Sequence, residues 1–263
     1  MIKPSEFKDW QTYYWTYQNI LAKKYLIPML EKQGIVIDQK KVFEIGCGNG
    51  GVIEAFAERC GKAVGVDIKA FDHTSLNTPK VKYVTADIFD PSQREKYVHL
   101  YDIILLRDVI EHLPDKKSIF EICDQLMKPD GVLFVTFPPF YSPFGAHQQV
   151  YTKTKLGKLP YLQMLQHTLY LKYLKAVEKG NEPAHQLAEE MFASKTTIAS
   201  LNQAIKKSKF EIQYQDYYLT RPSYEIRYGI KPRKAQFLQH VPVLRDLFVM
   251  GVYMILRKRT KQG

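Results

Sequence analysis

A glycine-rich segment at residues 44–51 limits the possible folds of this chain more than any other feature of its sequence. The segment is Glu-Ile-Gly-Cys-Gly-Asn-Gly-Gly, and it lies between a short apolar run at residues 42–45 and a helical pattern that extends to residue 63. Glycines let the backbone turn tightly between a strand and a helix and approach a ligand closely. Amide groups at the start of such a helix can bind anionic or polar groups. The segment therefore predicts a strand, a ligand-binding turn and a helix in succession.

Apolar runs alternate with helical patterns through the first half of the chain. The runs predicted as strands are residues 42–45, 63–67, 82–87, 101–106 and 132–137. Strands that are apolar on both faces and alternate with helices are typical of a parallel sheet with helices on both sides. The alternation returns with a helix at residues 197–208 and strands at residues 210–218 and 248–256. We therefore predict an α/β fold with a mostly parallel sheet of about seven strands.

The patterns outside this alternation are helical and divide the chain further. One helix is predicted over residues 5–33, capped by Ser5 and kinked by Pro28. Its aromatic side chains have helical spacing, which favours packing in the core; they are Trp10, Tyr13, Tyr14, Trp15 and Tyr17. The predicted parts are an N-terminal helical cap (1–36), the core (37–140), a helical insertion or lid after the fifth strand (141–195), and the remainder of the core with a basic C-terminal region (196–263).

Composition and charge limit the classes of protein to which this chain can belong. Of the 263 residues, 45% are apolar and 25% charged, which excludes a disordered chain. The net charge is +11, and ten basic against two acidic residues place +8 of it after residue 220. Such a region can bind nucleic acid, anionic lipid headgroups or an acidic substrate, or can simply be a solvated face. Residues 249–256 with the basic residues after them are predicted as a final strand, with contact to a membrane surface as the alternative.

The cysteines and the N-terminus indicate the compartment. Three cysteines at spacings of 13 and 63 residues match neither a disulfide framework nor a zinc site, and we predict no metal ligands. No cationic start followed by an apolar run suggests export, so a cytoplasmic location is expected, with peripheral membrane contact as a further option. The sequence leaves the oligomeric state open.

Acidic residues mark the ends of the predicted strands. Glu44 precedes the first glycine by two positions, Asp67 and Asp87 end the second and third strands, and Asp108 follows the fourth. The carboxyl ends of parallel strands converge on one crevice, so we expect these carboxylates to lie close together. The glycines also satisfy the dinucleotide spacing G-x-G-x-x-G, which keeps a nicotinamide-dependent oxidoreductase as an alternative. Several acids suit a cationic ligand better than a pyrophosphate.

Together these motifs resemble those of class I S-adenosylmethionine-dependent methyltransferases, over about residues 40–140 and more weakly at 196–218 and 248–257. The resemblance implies a Rossmann-like fold with S-adenosylmethionine as cofactor. It implies that the glycine loop holds the methionine end, that Asp67 binds the ribose hydroxyls, and that Asp87 binds the adenine. The predicted cofactor-binding residues are Glu44, Gly46, Cys47, Gly48, Gly50, Asp67, Ile68, Asp87, Ile88 and Arg107.

The methyl acceptor determines which further residues are needed. A hydroxyl acceptor usually requires a base, and His147 is the best candidate because it follows the fifth strand by about ten residues in a glycine-containing loop. Asp108, in the segment that the resemblance places beside the sulfonium, is the second candidate catalytic residue. Glu111 and His112 are expected to be structural.

We therefore predict a methyltransferase that acts, by O-methylation, on a small-molecule, glycan or lipid-linked acceptor. An RNA methyltransferase that uses the basic C-terminal region is the first alternative, and the nicotinamide-dependent oxidoreductase is the second. A protein that binds the cofactor without catalysis is a third class, because no residue in the chain is an obligatory nucleophile.

Overall fold

The computed structural model describes residues 1–71 and 80–259, and a mixed sheet crosses this part of the chain. Its strands are β1 (Lys41–Ile45), β2 (Lys62–Asp67), β3 (Val81–Thr85), β4 (Tyr101–Arg107), β5 (Met127–Phe137), β6 (Phe210–Thr220), β7 (Arg233–Lys234) and β8 (Gly251–Lys258). The strand order is β3-β2-β1-β4-β5-β8-β6-β7. The pairs among β1 to β5 are parallel, and β8 is antiparallel to both β5 and β6. The predicted Rossmann-like sheet is confirmed, with the two-residue β7 as an additional edge strand.

Helices cover both faces of the sheet. They are α1 (Trp10–Leu21), α2 (Ile27–Lys32), α3 (Gly51–Ala57), α4 (Pro91–Arg94), α5 (Lys116–Leu126), α6 (Gln148–Tyr151), α7 (His167–Val177), α8 (Glu182–Ser194), α9 (Ile198–Lys207), α10 (Pro222–Tyr228) and α11 (Pro242–Phe248). Successive residues of β4 show why both faces are apolar. Ile103 and Leu105 pack in the core with α1, α2 and α3, whereas Ile104 and Leu106 pack in the core with α5 and α9.

The N-terminal helix differs from the prediction. It begins at Trp10, where the side chain of Asp9 accepts a hydrogen bond from the backbone N–H of Thr12 at 2.7 Å. The predicted cap at Ser5 is wrong, because Ser5 lies in a separate 3₁₀ turn at Pro4–Glu6. The helical backbone then continues without a break through a π-helical turn at Ala22–Leu26 into α2, and this turn lies just before Pro28, which lacks the N–H that a regular helix requires.

The apolar segment near the C-terminus is buried inside the sheet. Strand β8 lies between β5 and β6, and its residues 251–256 are fully covered. These side chains are therefore not available to a membrane surface. Among the described residues, no helix has the length and apolar character that crossing a membrane requires.

Residues 148–194 carry helices α6, α7 and α8, of which α7 and α8 share a small apolar core of their own. Tyr170, Leu174 and Met191 from α7 and α8 pack there against Phe140, which follows β5. The backbone N–H of Phe140 donates to the carbonyl of Thr196 at 2.8 Å, which joins the two ends of the segment. That this segment acts as a lid remains a prediction.

A buried carboxylate holds the connections of this helical segment together. Glu178, which is 2% exposed, accepts hydrogen bonds from the backbone N–H groups of Lys153 at 2.9 Å and Thr154 at 2.7 Å. It also accepts from the Thr154 hydroxyl at 2.6 Å and the Asn181 amide at 2.8 Å. Burial alone would raise the pKa of Glu178, but these hydrogen bonds outweigh it and lower the pKa to about 2.

The variant Glu178→Gln tests this arrangement. A depressed carboxyl pKa stabilises the fold above the unfolded-state pKa of about 4.3, and the contribution is lost as the pH falls towards 2. We expect Glu178→Gln to lower the free energy of unfolding by about 1.5–3 kcal/mol at pH 7. The deficit should shrink on acidification, as measured by urea unfolding of both proteins at pH 7 and at about pH 3.

The matched control is Glu182→Gln, since Glu182 has a side chain that is 85% exposed in the first turn of α8. This change should leave the stability nearly unaltered at both pH values. An equal deficit for Glu178→Gln at neutral and acid pH would contradict the assigned role of its charge.

Candidate functional site

The glycine loop after β1 adopts a backbone that other residues rarely take. Gly46, Gly48 and Gly50 have φ angles of +72°, +53° and +85°. A Cβ atom on Gly46 would collide with the side chain of Val109. The backbone N–H of Gly46 donates at 2.8 Å to the carbonyl of Val66, which draws the loop against the end of β2. The glycines are therefore required both for the turn and for its close packing.

Of the acids predicted to lie close together at the strand ends, Asp67, Asp87 and Asp108 line one depression, whereas Glu44 does not. The Asp67 carboxylate accepts hydrogen bonds from the backbone N–H groups of Gly48 and Lys69, each at 2.9 Å, so it ties the end of β2 to the glycine loop. Asp87, at the end of β3, is exposed and accepts from the backbone N–H of Phe89 at 2.9 Å. Both side chains line the same depression.

We call this depression the strand-end crevice, and it has a volume of about 330 Å³. Its lining residues are Ile45, Gly46, Val66, Asp67, Ile68, Ala86, Asp87, Ile88, Phe89, Asp108, Val109, His112 and Leu113. Carboxylates stand around an apolar floor. The crevice can therefore take a flat apolar group together with polar hydroxyl and amino groups.

Several predicted cofactor residues lie behind the crevice instead of lining it. Glu44 is buried beneath the loop, where burial raises the pKa of its carboxyl to about 8, with the guanidinium of Arg107 nearby. Arg107 is buried as well and donates a hydrogen bond to Gln18 at 2.5 Å. The Cys47 side chain packs in the apolar core. Gly48, like Gly50, contributes backbone to the loop but is not among the residues that line the crevice.

An ion pair closes one end of the crevice. Asp108 follows β4 with a left-handed φ of +51°, and its carboxylate accepts from Nη2 of Arg221 at 2.6 and 2.7 Å. The hydroxyl of Thr136 donates to the same carboxylate at 3.1 Å. Burial alone would raise the pKa of Asp108, but the charges of Arg221 and Arg107 outweigh it and hold the pKa below its usual value.

A second cavity lies on the other side of Asp108. We call it the α1–α10 cavity; its volume is about 150 Å³. The residues that line it are Trp10, Tyr14, Tyr17, Asp108, His112, Pro138, Ser142, Phe144, His147, Gln149, Val150, Tyr151, Arg221, Ser223, Tyr224, Arg227 and Met250. Asp108 and His112 line both this cavity and the strand-end crevice, so the two share a wall.

A buried cluster of proton-accepting groups lies at this wall. Nε2 of His147 is 3.3 Å from Oε1 of Glu111, which is fully buried, and the ring of His147 stacks on that of His112 with centroids 5.2 Å apart. Neither carboxylate oxygen of Glu111 has a hydrogen-bond partner among the described residues. Burial raises the pKa of Glu111 to about 8 and lowers that of His147 to about 4.

The same cluster has the chemistry of a metal-ligand set. Glu111, His112 and His147 each offer one ligand atom, and these atoms lie within 4.8 Å of one another. Sequence patterns predicted no metal ligands and treated Glu111 and His112 as structural. His147 is distant from the other two in sequence, and its spacing carries no metal-binding signature.

Sequence reasoning missed most of the α1–α10 cavity. Trp10 and Tyr14 were expected in the core, yet they are 53% and 36% exposed and line the cavity. Tyr13 and Tyr17, from the same run, are buried as predicted. Arg221 was counted only as part of the basic C-terminal region, because nothing in the sequence pairs it with Asp108.

Comparisons with known proteins agree with this geometry. Residues 14–215 match the family described as "Methyltransferase domain". The chain is similar to the "Ubiquinone biosynthesis O-methyltransferase" of Yersinia enterocolitica, with 32% identity over 112 residues, covering 40% of this chain and 45% of that protein. For the enzyme of the same name from Actinobacillus pleuropneumoniae, identity is 36% over 103 residues, covering 36% and 44%. These matches span less than half the length of the relatives.

Solved structures share the fold. The trans-methyltransferase CalH, in complex with SAH, aligns with a TM-score of 0.53 at 17% identity, covering 94% of this chain and 58% of that one. An S-adenosylmethionine dependent methyltransferase from Mesorhizobium loti aligns with a TM-score of 0.53 at 14% identity, covering 88% and 96%. With a family match over most of its length, the chain belongs to the class I S-adenosylmethionine-dependent methyltransferases.

Proposed function

We propose that this enzyme transfers a methyl group from S-adenosylmethionine to a hydroxyl oxygen of a small molecule bound in the α1–α10 cavity. The observation that carries the proposal is the wall of Asp108 and His112, which separates two neighbouring cavities of different character. One is a crevice with carboxylates at strand ends, and the other is a partly open cavity with aromatic walls that contains His147. The O-methyltransferase activity in the names of the relatives is consistent with an oxygen acceptor.

The residues of the strand-end crevice fit the cofactor. The Asp67 carboxylate would bind the ribose hydroxyls, Asp87 the adenine amino group, and Ile68 and Ile88 the faces of the ring. A Cβ atom on Gly48 would meet no other atom within 4 Å, so the loop backbone borders open space there, where the methionine end would bind. When bound, S-adenosylmethionine supplies an electrophilic methyl group on sulfur. Glu44 and Arg107 would support the loop from below.

The acceptor hydroxyl must lose its proton as the methyl group is transferred, and His147 is the residue that we assign to receive it. Its Nε2 faces Glu111 at 3.3 Å, which leaves Nδ1 for the acceptor in the cavity that His147 lines. In its ionised form, Glu111 would then stabilise the imidazolium, as the acid of a catalytic triad does. Asp108 would fix the wall through Arg221 instead of taking the proton, because its carboxylate is already bonded.

The position of the cavity beside the crevice would contribute to the reaction as well. Methyl transfer is an in-line displacement, so holding the acceptor against the crevice wall and excluding water supply much of the rate enhancement. The cavity of about 150 Å³ lies between α1, α10 and the loop before α6. A cavity of this size would hold a small acceptor, or the small terminal group of a glycan or lipid-linked acceptor.

Many basic groups near the C-terminus already have internal partners, which weakens the RNA alternative. Lys258 lies 2.9 Å from Asp124 and Lys234 lies 2.6 Å from Asp216. Arg221 is bound to Asp108. Charges neutralised in this way add little to the phosphate contacts that dominate RNA affinity.

The variant Asp67→Ala tests the cofactor site. We expect binding of S-adenosylhomocysteine to weaken by about 1–3 kcal/mol, because the variant loses charge-assisted hydrogen bonds to the ribose. Isothermal titration calorimetry measures this directly. Asp67→Asn, which keeps the side-chain shape, separates loss of charge from loosening of the loop at Gly48. Asp130→Ala, at an exposed position, is the control, and unchanged affinity in both Asp67 variants would remove Asp67 from the site.

The variant His147→Ala tests the proposed base. With tritiated cofactor and catechol as model acceptor, we expect the turnover rate to fall by about 10²–10⁴-fold while S-adenosylhomocysteine affinity stays unchanged. His167→Ala, outside both cavities, is the matched control. Full turnover in His147→Ala would contradict the assignment.

A chelator separates two roles for His147. If the imidazole itself takes the proton, turnover in the presence of EDTA should equal turnover without it. Loss of turnover with EDTA, restored by Mg²⁺ or Zn²⁺, would instead show that Glu111, His112 and His147 act as metal ligands.

A further inference from the structure

The α1–α10 cavity carries a cation that the described carboxylates do not balance. Of the two guanidinium groups that line it, Arg221 is paired with Asp108. Arg227 has no ion-pair partner within the described ranges 1–71 and 80–259. Glu225, the acid closest to Arg227 in sequence, is bonded to Lys24 at 3.1 Å. The cavity therefore has an excess of positive charge.

The neighbouring groups do not offset this excess. Asp108 is the one carboxylate among the described residues that line the cavity, and it is already paired with Arg221. The bound cofactor brings a sulfonium, an ammonium and one carboxylate, which adds a further positive charge. A half-buried cation without a counter-charge is unfavourable, and an anionic ligand would relieve it.

The setting of Arg227 positions its guanidinium and leaves donors for a ligand. Its central carbon lies 5.4 Å from the ring centre of Tyr17 and 5.2 Å from that of Tyr228. A hydrogen bond with the Tyr13 side chain engages one of the five N–H donors, and Nε has no hydrogen-bond partner. Cation–π contacts orient the group without neutralising it, and the planar fork of donors matches a carboxylate.

The side chains that line the α1–α10 cavity indicate what kind of molecule carries the anionic group. Trp10 and Tyr14 from α1, Tyr224 from α10 and Phe144 present aromatic side chains to the cavity. Its volume of about 150 Å³ equals that of an engineered cavity of roughly 150 Å³ that binds benzene. One aromatic ring with small substituents fits this space and can pack against the aromatic walls.

We propose that the methyl acceptor is a single-ring hydroxyaryl carboxylate, and that Arg227 binds its carboxylate while its hydroxyl lies beside His147. The inference rests on the proposed function and assigns its substrate class. Arg227 is then a specificity-determining residue that selects acidic acceptors over neutral ones of the same shape.

The test measures binding and not turnover, so its failure is distinguishable from failure of the proposed function. The full chain is saturated with S-adenosylhomocysteine and titrated with 3,4-dihydroxybenzoate or with the neutral 3,4-dihydroxybenzamide. Quenching of tryptophan fluorescence reports binding, since Trp10 lines the cavity. We expect the acid to bind at least about tenfold tighter than the amide. Equal affinities, or no binding of the acid, would overturn the proposal.

Substitutions at Arg227 test whether this residue causes the preference for the acid over the amide. Arg227→Gln should remove the preference for the acid while leaving the affinity for the amide unchanged, and Arg227→Lys should retain part of the preference. Arg233→Gln, at an exposed position in β7, is the control and should bind like the unaltered enzyme. Thermal unfolding of each variant shows whether the fold is intact. An unaltered preference in Arg227→Gln, or weakened S-adenosylhomocysteine binding that places Arg227 on the cofactor carboxylate, would overturn the assignment.

Discussion

The buried ion pair between Asp108 and Arg221 is the interaction on which the architecture of the site depends. It joins the end of β4 to the start of α10, and its members are 113 residues apart in sequence. The side chains of Arg221 and Asp108 are 12% and 24% exposed, so removing one partner would leave the other charge poorly solvated and without its counter-charge. The pair also forms part of the wall between the strand-end crevice and the α1–α10 cavity. Its geometry therefore sets how the two ligands can face each other.

The remaining site follows from the parallel sheet. The carboxyl ends of β1, β2, β3 and β4 meet at one edge of the sheet. The glycine loop and the acids that follow these strands therefore lie close together, although they are far apart in sequence. The α1–α10 cavity is lined by residues of α1, α10 and the segment that follows β5. In the proposed function, the strand ends bind the cofactor, and these helices and loops bind the acceptor.

What could be predicted from the sequence was local. The strands, the glycine loop, Asp67 and Asp87 are each indicated by a pattern that spans a few residues. In the structure the loop and the two acids lie at the carboxyl ends of the strands, as expected. The resemblance to known methyltransferases contributed the cofactor. The N-terminal cap was misplaced by a few residues, because Ser5 and Asp9 are both favourable caps and only packing decides between them.

The acceptor side could not be predicted in the same way. The pairing of Arg221 with Asp108, the exposure of Trp10 and the burial of Glu111 beside His147 all depend on contacts between distant segments. A helix with aromatic residues on several faces has the same sequence pattern whether one face lines a cavity or packs in the core. Such features become visible only when the tertiary arrangement is known.

A crystal structure of the protein with S-adenosylhomocysteine would show whether the two cavities hold cofactor and acceptor as proposed. We expect adenosine between Asp67 and Asp87, the homocysteine under the loop at Gly46, and the sulfur directed past Asp108 towards His147. Ligand density outside the strand-end crevice, or a sulfur atom that Asp108 and Arg221 separate completely from the α1–α10 cavity, would contradict the proposal.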